Sequence, residues 1–98
     1  MISKYYSKSG QVCRATFKLP AESKAEEAYL VGDFNQWNRE ATPMKKLKDG
    51  SFSVTLSLAA GQTWRFRYLL DKARWENDWE ADAYTPNAFG GDDSVVRT

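Results

Sequence analysis

Residues 52–70 read FSVTLSLAAGQTWRFRYLL, and this stretch decides the fold. In each half, apolar residues occupy every second position: Phe52, Val54, Leu56 and Leu58 in the first, and Trp64, Phe66, Tyr68 and Leu70 in the second. A period of two is typical of a β-strand with one buried face. Gly61 and its small or polar neighbours predict a turn between the halves, so the stretch is predicted to form two antiparallel strands.

Shorter runs on both sides of this stretch predict further strands: residues 13–19, about 25–33, and 94–97. The first of them places Cys13, Ala15, Phe17 and Leu19 on one face. Residues 44–48 are rich in lysine, which suits an edge strand, and they lead into Asp49-Gly50, a hairpin signal. Residues 76–93 show no such period and are predicted to be irregular and acidic.

Six or seven short strands without helical periodicity predict an all-β fold, an antiparallel β-sandwich, with a small barrel as the alternative. A length of 98 residues suits one domain with a modest core. We assign that domain to residues 12–98 and expect residues 1–11 to form a loose N-terminal arm.

Charge and composition exclude several partners and cofactors. The net charge of +1 gives no long-range attraction for nucleic acid or an anionic membrane. No apolar run approaches the ~20 residues of a membrane span, and residues 1–8 lack the apolar core of a secretory signal. We therefore expect a cytoplasmic protein. Cys13 is the single cysteine and histidine is absent, so we predict no disulfide, metal or cofactor.

Carboxylates that could serve catalysis cluster in one loop: Glu76, Asp78, Glu80 and Asp82. Paired carboxylates hydrolyse glycosidic bonds when they lie ~5–9.5 Å apart across a cleft. Nothing in this sequence predicts a cleft, so we interpret the loop as solvated. The chain also lacks a phosphate-binding loop, a zinc pattern and a nucleophile elbow. We therefore predict a binding module and not an enzyme.

Three aromatic residues lie at predicted turns or loops: Trp37, Trp75 and Phe89. Arg65 and Arg67 project from one face of the predicted strand that lies between Trp37 and Trp75 in the sequence. Flat aromatic rings with nearby guanidinium donors suit a sugar, whose C–H face stacks on a ring, or single-stranded nucleic acid. A structural interpretation remains open, in which the tryptophans cover the sandwich and the arginines only solvate it.

Four segments occur in an order that resembles carbohydrate-binding module family 48: VGDFNQWN at 31–38, FRYLLD at 66–71, Trp75, and FGGDDSVV at 89–96. The family includes the N-terminal early-set domains of isoamylases and glycogen branching enzymes. It also includes the glycogen-binding domain of the beta subunit of AMP-activated protein kinase. The resemblance covers about residues 12–97.

The resemblance implies an immunoglobulin-like early-set sandwich that binds α-1,4-glucan such as glycogen or maltooligosaccharide. The two stacking tryptophans of the family correspond to Trp37 and Trp75, and its basic residue corresponds to Arg67. Its inserted apolar residue corresponds to Phe89, and an asparagine-like position falls on Asp93. The carbohydrate-binding set that we predict is Trp37, Arg65, Arg67, Trp75, Phe89 and Asp93.

The chain departs from the family pattern in the last segment. Gly91 replaces a threonine-like residue and offers no hydroxyl, and Asp93 accepts hydrogen bonds where an amide would also donate. Trp79 and Tyr84 lie in a segment that differs from the kinase-type loop, where they either add a platform or fill space. An alternative function is a protein-interaction module that associates with a glucan-metabolising enzyme or regulator without binding sugar.

Overall fold

A computed structural model describes residues 2–98, which form nine β-strands and two short 3-10 turns, Ala21–Ser23 and Asp33–Asn35. The strands are β1 (Ile2–Tyr6), β2 (Val12–Leu19), β3 (Ala28–Gly32), β4 (Lys45–Lys46), β5 (Phe52–Ala59), β6 (Thr63–Leu70), β7 (Arg74–Glu76), β8 (Ala83–Pro86) and β9 (Asp92–Arg97). Within residues 2–98, neither helical turn has the length or apolar character to cross a bilayer.

The strands form two sheets in which every pairing is antiparallel. One sheet has the order β1-β2-β5-β4, and the other has the order β3-β6-β9-β8 with β7 also paired to β6. The two sheets pack face to face as an immunoglobulin-like β-sandwich, which confirms the predicted fold class. Because the sheets remain separate, the alternative of a closed barrel is not the fold of the described chain.

The core between the sheets consists of the alternating residues that the sequence predicts. Its largest fully buried side chains are aromatic: Phe17, Phe52, Phe66 and Tyr68. Phe66 contacts Phe17 edge-on at 5.1 Å between ring centroids, and it contacts Tyr68 similarly at 5.7 Å. Such edge-to-face pairs add about 0.5–1.5 kcal/mol each to the free energy gained by burial. The core thus joins β2 and β5 of one sheet to β6 of the other.

Residues 2–6 are not a loose arm, as we expected from the sequence, but form the edge strand β1 against β2. Polar and charged side chains hold the strand to the opposite sheet, and a pattern of alternating apolar residues does not reveal such contacts. The hydroxyl of Tyr6 donates to the carbonyl of Thr98 at 2.7 Å, and Lys4 Nζ lies 2.6 Å from Asp82 Oδ2. This strand is therefore stabilised by polar contacts between distant segments, and its sequence lacks the alternating apolar pattern by which a strand is recognised.

The segment 76–93 is also more regular than predicted, because residues 83–86 form β8 on the edge of the second sheet. Its acidic residues are not uniformly solvated. Asp78 is only 2% exposed, and its Oδ2 accepts the hydroxyl proton of the buried Tyr68 at 2.6 Å. Burial and then the Asp78 carboxylate raise the pKa of Tyr68, so the phenol remains protonated and the bond persists. The carboxylate thus anchors this loop.

Candidate functional site

The outer face of the five-stranded sheet, which points away from the main core, carries a second set of buried residues. Val31, Leu69 and Val95 are 0%, 3% and 5% exposed, although they lie outside the core cluster. An open sheet face would leave such side chains in water. Other segments of the chain must therefore cover these side chains, and the candidate site lies on the same face.

Arg67 lies at a gap in the sheet. β3 pairs with the second half of β6, from Phe66 to Leu70. On the opposite edge of β6, β9 pairs with residues 63–66 and β7 with residues 68–70, so the two strands lie end to end. Arg67 falls between them on this edge and projects from the same face as Leu69 and its partner Trp75. The short β7 thus brings the indole of Trp75 beside the Arg67 guanidinium.

The turn after β3 is held by Asn35. Its Oδ1 accepts the N–H of Gly32 at 3.0 Å, and its Nδ2 donates to Leu30 O at 2.9 Å and to Thr42 Oγ1 at 3.0 Å. These bonds close the segment on itself. The N–H of Trp37 then donates to Gly32 O at 2.9 Å, with Trp37 in the left-handed region at φ 56°.

Asp33 fixes the Trp37 indole to the sheet. Its Oδ1 accepts the Trp37 Nε1–H at 2.9 Å, and its Oδ2 accepts the backbone N–H of Arg65 on β6 at 2.7 Å. One carboxylate therefore joins the turn, the indole and the sheet. Phe34 anchors the same turn from below, because its ring packs on Phe17 with centroids 5.8 Å apart.

The loop between β8 and β9 is organised around Asn87. Its Oδ1 accepts the backbone N–H groups of Phe89 at 2.9 Å and of Gly91 at 3.2 Å. Its Nδ2 donates to Asp93 Oδ1 at 3.2 Å. The result is a tight turn with the Phe89 ring at its tip, where that side chain is 95% exposed. At this tip the ring is accessible to a ligand.

These elements surround an open pocket of about 540 Å³, and the residues that line it are Trp37, Arg39, Arg67, Trp75, Asn87, Phe89 and Asp93. Five of the six residues predicted from the sequence are in this set. The exception is Arg65, which does not line the pocket. Its guanidinium lies 3.8 Å from Asp93 Oδ2 and forms an ion pair with that carboxylate. Trp37 and Trp75 are both half-buried.

Two pocket residues, Arg39 and Asn87, were not predicted from the sequence. The Arg39 guanidinium lies over the Trp75 ring, 5.5 Å from its centroid. No local pattern marks Arg39, which lies in an exposed polar segment. Asn87 follows Pro86 and precedes Gly90-Gly91, so the sequence contained a turn signal, although not its role in positioning the loop.

Arg67 has an unsatisfied donor. Its Nε is buried and has no hydrogen-bond partner within residues 2–98, while its guanidinium carbon lies 5.7 Å from the Trp75 centroid. A buried donor without an acceptor is costly, by about 1–3 kcal/mol. Arg67 also lines the pocket, so its guanidinium group as a whole, and not the buried Nε, is the candidate donor to a ligand.

The other two tryptophans lie outside the pocket. Trp64 packs on the core margin, and its Nε1 donates to Thr98 Oγ1 at 3.0 Å. Trp79 is 55% exposed and Tyr84 is 47% exposed, but neither lines the pocket. Neither aromatic residue therefore adds a platform to this site.

Comparison with known proteins gives two findings. Residues 8–85 match the family model described as carbohydrate-binding module 48 (isoamylase N-terminal domain). A 66-residue segment, 66% of the chain, is 33% identical to a 1,4-alpha-glucan branching enzyme, GlgB, from Aquifex aeolicus (strain VF5). That segment spans 10% of the enzyme's length.

Proposed function

Because the chain belongs to the carbohydrate-binding module 48 family, we propose that it is a non-catalytic module that binds α-1,4-linked glucan such as glycogen or maltooligosaccharide. The observation that carries this proposal is the composition of the pocket. Indole and phenyl rings form its walls, and arginine and amide groups lie between them. An apolar wall with a few placed polar groups is typical of a small-molecule site.

The two tryptophans are the proposed stacking surfaces. A pyranose ring has an apolar C–H face that suits the indole rings of Trp37 and Trp75, both of which line the pocket. Aromatic contacts of this kind contribute about 0.5–1.5 kcal/mol each. Their fixed orientation lowers the entropy cost of binding, since Asp33 holds the Trp37 indole before any ligand arrives.

Polar groups between the rings would bind the sugar hydroxyls. Arg67 has a guanidinium group that can donate, and Asp93 has a carboxylate that accepts. Asp93 is held in place by Asn87 and Arg65, so it presents an acceptor in a fixed position. The Asn87 amide lies in the pocket wall and supplies an amide where Asp93 replaces an asparagine-like residue.

The branching enzyme acts on 1,4-alpha-glucan according to its name, which supports the choice of ligand class. The module would also associate with a glucan-metabolising enzyme. A few exposed stacking contacts give weak affinity, about micromolar to millimolar for each site. Retention on a branched polymer would then depend on many chain ends.

The first test is titration with maltoheptaose, followed by tryptophan fluorescence and amide chemical shifts. Trp37→Ala and Trp75→Ala are each expected to weaken binding roughly fivefold or more, because each removes about 1 kcal/mol or more of stacking. Retention in a native gel that contains glycogen is expected to be lost in both variants.

Trp79→Ala is the matched control, because it removes an exposed tryptophan that does not line the pocket. We expect this variant to bind as the wild type does. Thermal unfolding of all three variants establishes that they are folded. If the folded Trp37→Ala and Trp75→Ala variants bind maltoheptaose as tightly as the wild type does, the assignment of the site is wrong. A wild-type chain that binds no α-glucan contradicts the function and favours the protein-interaction alternative.

A further inference from the structure

The pocket contains more positive charge than its own carboxylates balance. Arg39 and Arg67 both line it, with guanidinium carbons 5.5 Å and 5.7 Å from the Trp75 centroid. Within the described chain, neither guanidinium forms an ion pair or a side-chain hydrogen bond, although Glu40 directly follows Arg39 in sequence. Their contacts are with the aromatic ring, and such contacts leave guanidinium N–H donors available.

Two acidic side chains of this region, Asp93 and Asp33, already have other partners. Asp93 is the carboxylate in the pocket wall, and it is held by Asn87 at 3.2 Å and by Arg65 at 3.8 Å. Asp33 accepts hydrogen bonds from the Trp37 indole and from the backbone of Arg65. Arg65 offsets Asp93, the carboxylate among the residues that line the pocket, so Arg39 and Arg67 leave this lining positively charged.

A neutral sugar does not require this arrangement. One or two neutral donors are enough to bind a hydroxyl, whereas two guanidinium groups 5.5 Å and 5.7 Å from one ring centroid place two like charges in the same pocket. An anion is attracted to both charges, and its oxygens match the planar fork of a guanidinium group. A phosphate monoester carries about −1.5 to −2 charges at pH 7 and offers three acceptor oxygens.

We propose that the pocket binds α-glucan that carries a phosphate monoester, with Arg39 and Arg67 binding the phosphate while the aromatic walls of the pocket contact the glucose unit. The inference rests on the proposed function, since it places the phosphate on a chain that the same pocket binds. The apolar walls argue against free phosphate, which has no use for the rings of Trp37 and Phe89. Arg39 is then a residue that determines specificity.

The experiment compares three probes by amide-shift titration: maltoheptaose, maltoheptaose with one glucose 6-phosphate, and inorganic phosphate. At low salt, we expect the phosphorylated oligosaccharide to bind roughly tenfold more tightly than the neutral one. This preference should shrink as salt rises from about 0.01 M to about 1 M, because the screening length falls from about 30 Å to about 3 Å.

Two variants test whether the preference comes from the pocket. Arg39→Gln is expected to lower the ratio of the two dissociation constants from roughly 10 to below about 3, since it removes one of two phosphate contacts. Arg14→Gln is the matched control. Arg14 is an exposed arginine on β2, in the other sheet, and its loss changes net charge equally but should leave the ratio unchanged.

The outcomes separate this inference from the proposed function. Equal affinity for the two oligosaccharides overturns the inference and leaves α-glucan binding intact. Binding of phosphate alone as tightly as the phosphorylated chain also overturns it, because the anion would then need no glucan. If neither oligosaccharide binds, both proposals fail. A preference that Arg39→Gln and Arg14→Gln reduce equally assigns the effect to net charge and overturns the role of the pocket.

Discussion

At the residue scale, Gly32 determines whether the Trp37 turn can pack on the sheet. Its backbone is extended, with φ −171°, so conformational freedom is not the reason for glycine here. The reason is space. A Cβ at this position would lie 2.5 Å from Arg65 O and 2.8 Å from the Phe66 Cβ. These neighbours are backbone and a core residue, and neither can move cheaply.

Gly32→Ala is therefore expected to lower the free energy of unfolding by about 1–3 kcal/mol, as overpacking of a close contact does. Urea denaturation measures this loss. Gly91→Ala is the control, because a Cβ there meets only the Asn87 side chain at 3.7 Å, an ordinary contact distance. Equal stability of the two variants would show that the sheet relaxes around residue 32.

At the element scale, β1 is a strand that depends on contacts far along the chain. It pairs with β2 from Ile2 opposite Phe17 to Tyr6 opposite Cys13. Its side chains then reach the second sheet through Tyr6 and Lys4. The strand thus connects the edge of its own sheet to residues next to β8 and β9 of the second sheet.

Deletion of residues 2–6 distinguishes this strand from the loose arm that the sequence predicted. We expect the deletion to lower the free energy of unfolding by at least about 2 kcal/mol, since it removes a ladder whose hydrogen bonds contribute about 0.5–1.5 kcal/mol each. Thermal and urea unfolding both measure the change. Tyr5→Ser changes an outward side chain that is 78% exposed and should have little effect. An unchanged stability after the deletion would favour the arm.

At the scale of the whole molecule, Asp82 links the two sheets. Its Oδ2 accepts from Lys4 Nζ of β1 at 2.6 Å and from the backbone N–H of Arg97 in β9 at 2.7 Å. Partial burial alone would raise the pKa of Asp82, but these bonds, first that from Arg97 and then that from Lys4, hold it below its ordinary value of 3.8. The folded state therefore favours the ionised carboxylate.

This linkage predicts an acid-sensitive sandwich. The unfolded chain binds the Asp82 proton at a higher pH than the folded chain does, so stability is present above the ordinary pKa and is lost as pH falls through the lower, folded value. We expect the free energy of unfolding to decrease between about pH 5 and pH 2, and Asp82→Asn to reduce that decrease. Glu40→Gln replaces an exposed carboxylate and should leave that decrease unchanged. An identical pH profile for Asp82→Asn would contradict the linkage.

Part of the candidate site was predictable because it depends on local sequence. The turn 32–37 and the strand 63–70 each contain their own signal, so Trp37, Arg67 and Trp75 were placed at turns or on an outward face. Arg39 and Asn87 were missed because their roles depend on where Trp75 and Asp93 lie. Asp78 was interpreted as solvated because its partner, Tyr68, belongs to another strand.

The sequence by itself determined the alternation of buried and exposed residues, and hence the strands, the sandwich and the core, because side chains alternate between the faces of a strand. Only the tertiary structure decided which distant segments meet. It placed β1 at an edge, buried Asp78, and brought Arg39 and Arg67 to one indole. The physical reason is that these contacts join residues with no shared period, and the partner of each hydrogen bond, ion pair or ring contact depends on how the apolar faces pack the two sheets together.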